Sequence, residues 1–163
     1  MPGGSAHTIG WHEGDRTPLR PLFEQADDSS TQIDASIDMG GVLVARDEAG
    51  TVVGHLQVVH AGPDTVEIAS MAVEAESRKQ GVGRRLVERA LAVSREAGAR
   101  RISVATATAD IGNLRFYQRC GFRATAIERD AFTPRNGYAC DLAVDGIPVR
   151  DAIRFELELD GVP

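Results

Sequence analysis

Apolar residues crowd into three runs between residues 41 and 73: GVLVARD, VVGHLQVVH and VEIASMAV. Each is strand-length and rich in β-branched side chains. EAGT separates the first two and GPDT the last two, so the pattern predicts three consecutive antiparallel strands. Downstream the period changes. Leu86, Ala90, Val93 and Ala97 recur at steps of four, three and four, with Val87 and Leu91 beside them, which predicts an amphipathic helix closed by Gly98. RISVAT then reads as a strand, GNLRFYQRC as a short helix stopped by Gly121, and FRATAIER and AIRFELEL as the last two strands. Between these two lies the stretch 130–151, DAFTPRNGYACDLAVDGIPVRD, whose Asp145-Gly146 pair signals an extra hairpin. At the other end, Leu19 to Ala26 reads as a short helix and DDSSTQIDASIDMGG as a loop or a second short helix. Residues 1–17, rich in Gly, His and polar groups, read as a loose arm or a short edge strand.

Length and composition fit one domain over 1–163: 163 residues with 42% hydrophobic content can bury a real core. No apolar run approaches the roughly 20 residues needed to span a bilayer, and the start, MPGGSAHTIGWHEGD, lacks the basic and apolar regions of a signal peptide. A cytoplasmic location without membrane contact is expected. Cys120 and Cys140 have neither the number of a disulfide framework nor the spacing of a zinc site, and read as reduced thiols. A net charge of -6 argues against general nucleic-acid binding and permits a cationic substrate.

Against that acidic background, SRKQGVGRR at 77–85 is locally basic around two glycines. It follows a strand and opens a helix, so free backbone N–H groups and the positive end of the helix dipole point outward together. That arrangement suits phosphate, with Gly81 and Gly83 admitting oxygens to the main chain. A solvated basic turn is the other reading of the loop taken alone. Two common phosphate motifs fail here: the position three beyond Gly83 is Leu86, not the third glycine of a dinucleotide fingerprint, and no G-x-x-x-x-G-K-[ST] string exists. His55 and His60, five apart on one strand, point to opposite faces and do not form a pair of metal ligands; no metal is expected. Either could instead line a substrate pocket or make an ordinary polar contact.

RKQGVG resembles the Q/R-x-x-G-x-G/A signature of the GNAT acetyltransferase superfamily, and FYQRCGF resembles its second signature, a tyrosine in a short helix followed by Gly-Phe. Strand, phosphate loop, helix, strand, helix and Gly-Phe occur in the family's order from about Val42 onward. The resemblance implies an α/β (α+β) GNAT fold: a mixed, mostly antiparallel sheet of about seven strands flanked by helices, the fourth and fifth splayed. It implies acetyl-coenzyme A as donor, its pyrophosphate held by main-chain N–H groups of Arg78, Lys79, Gln80, Gly81, Val82, Gly83 and Arg84. The pantetheine arm would enter the splay like an added strand, against backbone near Met71, Ala72 and Val73. Phe116 joins the implied cofactor contacts. The asparagine that many members place seven residues before the tyrosine is Asp110 here, with Asn113 nearby, so which of the two reaches the pantetheine amides stays open. Transfer would be direct, in a ternary complex, leaving Cys120 without a role. A homodimer is compatible with the sequence, which does not set the oligomeric state.

Aminolysis of a thioester requires a neutral amine, a stabilised oxyanion and a proton for the departing thiolate. The resemblance implies Tyr117 as the proton donor and a backbone N–H near Val73 as the oxyanion donor; a partly buried aromatic on a short helix is the plainer role for Tyr117. Glu67 lies fourteen positions before Gly81, the spacing at which histone-directed members of the family carry their base, so the resemblance implies it as the candidate base. Simple alternation puts it on the face of Ala69, Met71 and Val73, where partial desolvation would raise its pKa. A strand-end glutamate or substrate anchor is the alternative, with water taking the proton. In the long segment before the last strand, Asp130, Phe132, Tyr138 and Asp141 suit a cationic amine. The expected acceptor is the primary amine of a small molecule, such as an amino acid, polyamine or aminoglycoside-like compound. A protein or peptide acceptor and an acyl-coenzyme A-binding module without turnover are the alternatives.

Overall fold

A computed structural model of the chain describes residues 6–159. Its strands are β1 (Thr8–Trp11), β2 (Gly41–Arg46), β3 (Val52–His60), β4 (Thr65–Val73), β5 (Arg101–Ala107), β6 (Arg123–Glu128), β7 (Ala143–Val144), β8 (Ile147–Pro148) and β9 (Ala152–Glu158). Seven form one sheet in the order β1-β2-β3-β4-β5-β9-β6; β7 and β8 form a separate hairpin. Every neighbouring pair in the large sheet is antiparallel except β4 and β5. The helices are α1 (Arg20–Ala26), α2 (Ser30–Ser36), α3 (Val82–Glu96) and α4 (Ile111–Arg119).

Both faces of the sheet are covered, and β2 shows why its sequence does not alternate. Leu43 and Ala45 enter one core with Leu56, Leu86, Ile102 and Phe155, while Val42 and Val44 enter a second with Phe23 and Ile33. A strand buried on both sides reads as an unbroken apolar run. The apolar stripe of α3 supplies Leu86, Val87 and Ala90 to the first core. Truncating Leu86, which is fully buried, would cost about 2–5 kcal/mol through lost burial plus the cavity left behind. On the second face, α2 begins at Ser29, whose hydroxyl accepts from the Gln32 N–H, so the stretch expected as a loop or helix is a capped helix.

The N-terminal segment is an edge strand, not a loose arm, over residues 8–11. The outer edge of β2 would otherwise present a row of unpaired backbone groups, and Thr8–Trp11 pair with it antiparallel. The Arg85 guanidinium donates to the His7 carbonyl at 2.7 Å, and Arg16 donates to the carbonyls of Ile37, Met39 and Gly40. The first five residues of the expected arm lie outside the described residues. The Asp145-Gly146 turn forms as expected, with positive φ at both positions (49° and 79°) linking β7 to β8.

Two irregularities in β4 shape the site. Parallel pairing with β5 runs from Thr65↔Arg101 to Ile68↔Val104 and stops, although both strands continue, so the two splay apart. On the other edge the register with β3 jumps from Val58↔Ile68 to Gln57↔Ser70, leaving Ala69 as an extra, bulged residue. The bulge inverts the side-chain alternation. Met71 pairs with Leu56 on the α3 face, whereas Glu67 pairs with Val59 and Ser103 on the opposite face. The expectation that Glu67 shares a face with Met71 and Val73 is therefore corrected: strict alternation fails because one residue has no partner.

Candidate active site

Where β4 and β5 part, a cleft of about 840 Å³ opens, running from the start of α3 through the gap to the α1–α2 loop and the segment 130–151. At its α3 end, Gly81 is the N-cap, with φ of 77° and no capping side chain. The N–H groups of Val82, Gly83 and Arg84 thus have neither intrahelical acceptors nor a side-chain cap, and they begin a helix of 15 residues. A Cβ at Gly81 would meet nothing within 4 Å, so glycine is needed there for its left-handed backbone and leaves open space above the helix end. Gly83 has a different reason. A Cβ there would lie 3.1 Å from Met71 Cε and 3.4 Å from Phe116 Cζ, so its absence lets α3 approach β4 and α4 closely.

The cations of this loop are already partly engaged. Arg78 donates from Nε to the Val73 carbonyl at 2.8 Å and from a terminal nitrogen to Gln25 Oε1 at 3.3 Å, tying the loop back to β4 and α1. Arg84 pairs with Glu88 at 3.1 Å, and the Gln80 amide donates to the Glu76 carbonyl outside the cleft lining. Lys79, at φ of 64°, lines the cleft. An uncapped helix start, an open glycine and a basic rim fit a phosphate-bearing group.

Met71, Ala72 and Val73 line the gap. The next N–H, of Glu74, donates to the Val53 carbonyl on the β3 side at 2.8 Å, so alternation turns the Val73 N–H toward the gap. Strand-like backbone with groups facing open space fits an extended, amide-bearing arm. Beyond β5, Asp110 caps α4, its Oδ1 accepting the Asn113 N–H at 2.9 Å. Both Asp110 and Asn113 line the cleft, and the Asn113 amide donates to Thr106 Oγ1 at 3.3 Å.

Tyr117 lines the cleft and is only 6% exposed, its ring packed against Phe116, Phe122 and Phe155. The hydroxyl points to the Met71 sulfur at 3.8 Å, a weak acceptor. Burial, then the nearby Cys120 and Asp110, push its pKa well above that of an ordinary phenol, so the proton stays on through the neutral range. A buried donor satisfied only by a thioether can donate to another sulfur placed in the gap. Cys120 lines the cleft with a pKa raised mainly by burial, which makes it a poor nucleophile; Cys140 is exposed, and neither is in a disulfide.

Glu67 is not brought to this centre. Its carboxylate faces Arg154 at 3.4 Å, which also holds Glu128 at 2.7 Å, and it does not line the cleft. The acceptor end is built from other residues. Tyr138 donates to Asp27 Oδ2 at 3.1 Å and meets Phe132 edge-on at 5.1 Å, and all three line the cleft. Asp28 beside them is exposed, with no hydrogen-bond or ion-pair partner among the described residues. Asp130 is held by Arg150 at 2.6 Å, and Asp141 stands outside the lining, so only Phe132 and Tyr138 of the four expected substrate residues reach it. Asp27, Asp28 and Ser70 went unmarked in the sequence. DDSST signals a helix start, but not that this start folds over a cleft; Ser70 is visible as a polar break in an apolar strand.

The family model described as Acetyltransferase (GNAT) family matches residues 9–122. The chain belongs to this family. A Bacillus subtilis (strain 168) protein, the uncharacterized N-acetyltransferase YvbK, is 35% identical over 141 residues, covering 86% of this chain and 89% of that one. Among solved structures, a Bacillus subtilis acetyltransferase in complex with CoA matches with a TM-score of 0.84 at 32% identity, over 94% of this chain and 99% of that one. A GNAT family acetyltransferase from Elizabethkingia anophelis with acetyl-CoA bound gives 0.86 at 25% identity, over 93% and 97%. The GNAT fold expected from the two signatures is the fold observed, splayed strands included. As a GNAT member the chain is an acetyl-coenzyme A-dependent N-acetyltransferase. Among the described residues no helix is long and apolar enough to cross a membrane.

Proposed function

We propose that this enzyme moves the acetyl group of acetyl-coenzyme A directly to a primary amine of a small molecule, in a ternary complex. The supporting observation is one continuous cleft with a phosphate-suited helix start at one end and an acidic, aromatic-walled mouth at the other. The donor supplies an activated thioester; the chain positions it and manages the protons. The main chain of 78–84 holds the phosphates, with Val82, Gly83 and Arg84 donating N–H groups and Lys79 adding charge. Backbone of Met71, Ala72 and Val73 takes the extended arm, and Asn113 rather than Asp110 meets its amides, because Asp110 is engaged as a cap. Phe116 packs against Gly83 and closes that wall.

Tyr117 delivers its proton or a hydrogen bond to the departing sulfur. Its raised pKa does not disqualify it, since the same burial destabilises a thiolate beside it. The Val73 N–H faces the place where negative charge develops on oxygen. Water removes the amine proton, while Glu67 orders the sheet through Arg154. At the mouth Asp27, Asp28, Phe132 and Tyr138 favour a cationic amine such as an amino acid, polyamine or aminoglycoside-like compound. A cytoplasmic setting, which keeps thiols reduced, suits the unpaired Cys120 and Cys140.

The test is thiol release from acetyl-coenzyme A with L-lysine, spermidine, kanamycin and a peptide bearing a free N-terminus. Turnover of at least one small amine above the peptide is expected. Preference for the peptide would move the acceptor to proteins, and coenzyme A binding without turnover of any amine would make the chain a binding module.

A further inference from the structure

One polar pair in the middle of the fold is unused by this chemistry. His55, on β3, is fully buried and stacks on Phe23 of α1 with ring centroids 4.3 Å apart. Its Nε2 lies 2.8 Å from the hydroxyl of Ser70, across the strand pair on β4. Its Nδ1 is buried with no hydrogen-bond partner among the described residues. Ser70 follows the Ala69 bulge, so its side chain lies on the α1–α2 face, and it lines the cleft between the parted strands and Asp27. The bulge therefore turns a hydroxyl toward the acceptor side at the level where Met71, the next residue, meets Tyr117 from the donor side.

A buried histidine without a polar partner on one ring nitrogen is cheapest with a bare lone pair there, because orphaned buried N–H groups are rarer than under-satisfied acceptors. The proton then sits on Nε2 and is donated to Ser70 Oγ. Burial also holds the imidazole neutral, with a pKa pushed down to about 3. A Ser–His pair can act as nucleophile and base, but that chemistry needs Nε2 as an acceptor and a third group steadying the imidazolium at Nδ1. Nδ1 has no such group, and in the tautomer argued above Nε2 donates rather than accepts.

We propose that Ser70 is a positioning residue for the acceptor: its hydroxyl oxygen, fixed by the Nε2–H of His55, accepts an N–H of the incoming amine and aims the nitrogen lone pair at the gap between β4 and β5. The inference rests on the amine acetyltransferase reading above. No covalent bond to the chain is formed. His55 acts through Ser70, and its stack on Phe23 ties that orientation to α1, the helix whose end carries Asp27.

Two measurements test it. Long-range proton–nitrogen NMR of the wild-type imidazole should show the neutral Nε2–H tautomer at pH 7; the Nδ1–H tautomer or an imidazolium would overturn the orientation. Kinetics then use whichever of L-lysine, spermidine or kanamycin turns over fastest. Ser70→Ala should lower kcat/KM for the amine about five- to tenfold, the worth of one hydrogen bond, with coenzyme A affinity unchanged. Ser70→Thr, which keeps a hydroxyl, should recover much of the loss. His55→Phe should match Ser70→Ala without adding to it in the double variant, while His55→Gln, which can place an amide donor near the lost Nε2–H, should lie between. An unchanged kcat/KM in folded Ser70→Ala, or additive losses, would remove the proposal while leaving amine acetylation standing. If wild type binds coenzyme A but turns over no amine, this inference falls together with the function above.

Discussion

The two ends of the cleft are built by opposite strategies. The donor end is local: a turn after β4, an uncapped helix start and the next helix all lie within residues 71–117. The acceptor end is assembled from side chains far apart in sequence, with Asp27 and Tyr138 joined by one hydrogen bond across 111 positions. The phosphates and amides of an acyl-coenzyme A are the same whatever the acceptor, so fixed main-chain geometry can serve them. An acceptor must be told from other amines, and on the proposed reading side chains on docked segments do that. Glycines at 81 and 83 anchor the first end; at the second, Gly137 packs so near Ser29 that a Cβ would sit 2.7 Å from its Oγ.

The contrast breaks most visibly at the donor end. Gly81→Glu adds negative charge and a strained left-handed side chain where the helix dipole is positive, and it should abolish coenzyme A binding by calorimetry while the fold, read by circular dichroism, persists. Undiminished affinity in the folded variant would remove the phosphate assignment. Tyr117→Phe comes next. It deletes one hydroxyl from a ring that stays packed, so kcat and kcat/KM should fall together by roughly 10²-fold or more with coenzyme A affinity intact. Since burial raises the pKa of this phenol, wild-type activity should show no loss from its ionisation up to about pH 10, its ordinary value.

A smaller effect belongs to the acceptor half alone. His55 has a folded pKa of about 3 against 6.5 in the unfolded chain, so the unfolded state binds the extra proton between those values. Its contribution is therefore whole above about pH 6.5 and is lost as pH falls, by about 1.4 kcal/mol per unit through that window. Thermal melts from pH 7 to 4 should show a shallower decline for His55→Gln than for wild type; parallel declines would place the imidazole in contact with solvent. The smallest effect is expected at Glu67. Glu67→Gln removes a part-exposed ion pair with Arg154 and should change turnover less than about twofold at any pH. A loss concentrated at low pH would restore it as the base.

The sequence exposed what backbone periodicity and local motifs encode: the strand runs, the α3 stripe, the Asp145-Gly146 turn and the donor loop. It hid what depends on register. One bulged residue, Ala69, carries Glu67 away from the centre and brings Ser70 to it, and nothing in VEIASMAV marks a missing partner on β3. The edge strand at Thr8–Trp11 was equally ambiguous, because what orders it, the bare edge of β2 and the Arg85 bond to the His7 carbonyl, lies far away in sequence. Asp27 and Asp28 belong to a stretch whose sequence announces a helix cap, and their place in the cleft follows from the docking of residues 130–151. Donor chemistry was legible because it is short-range; acceptor chemistry was not, because it is long-range.

Direct transfer between the two ends is the claim on which the rest depends. Initial rates measured over a grid of acetyl-coenzyme A and the best amine of the screen, with mass spectrometry of the enzyme after incubation with donor alone, test it most directly. The account predicts intersecting double-reciprocal lines and an unmodified chain. Parallel lines with an acetyl adduct on Ser70 or Cys120 would contradict it.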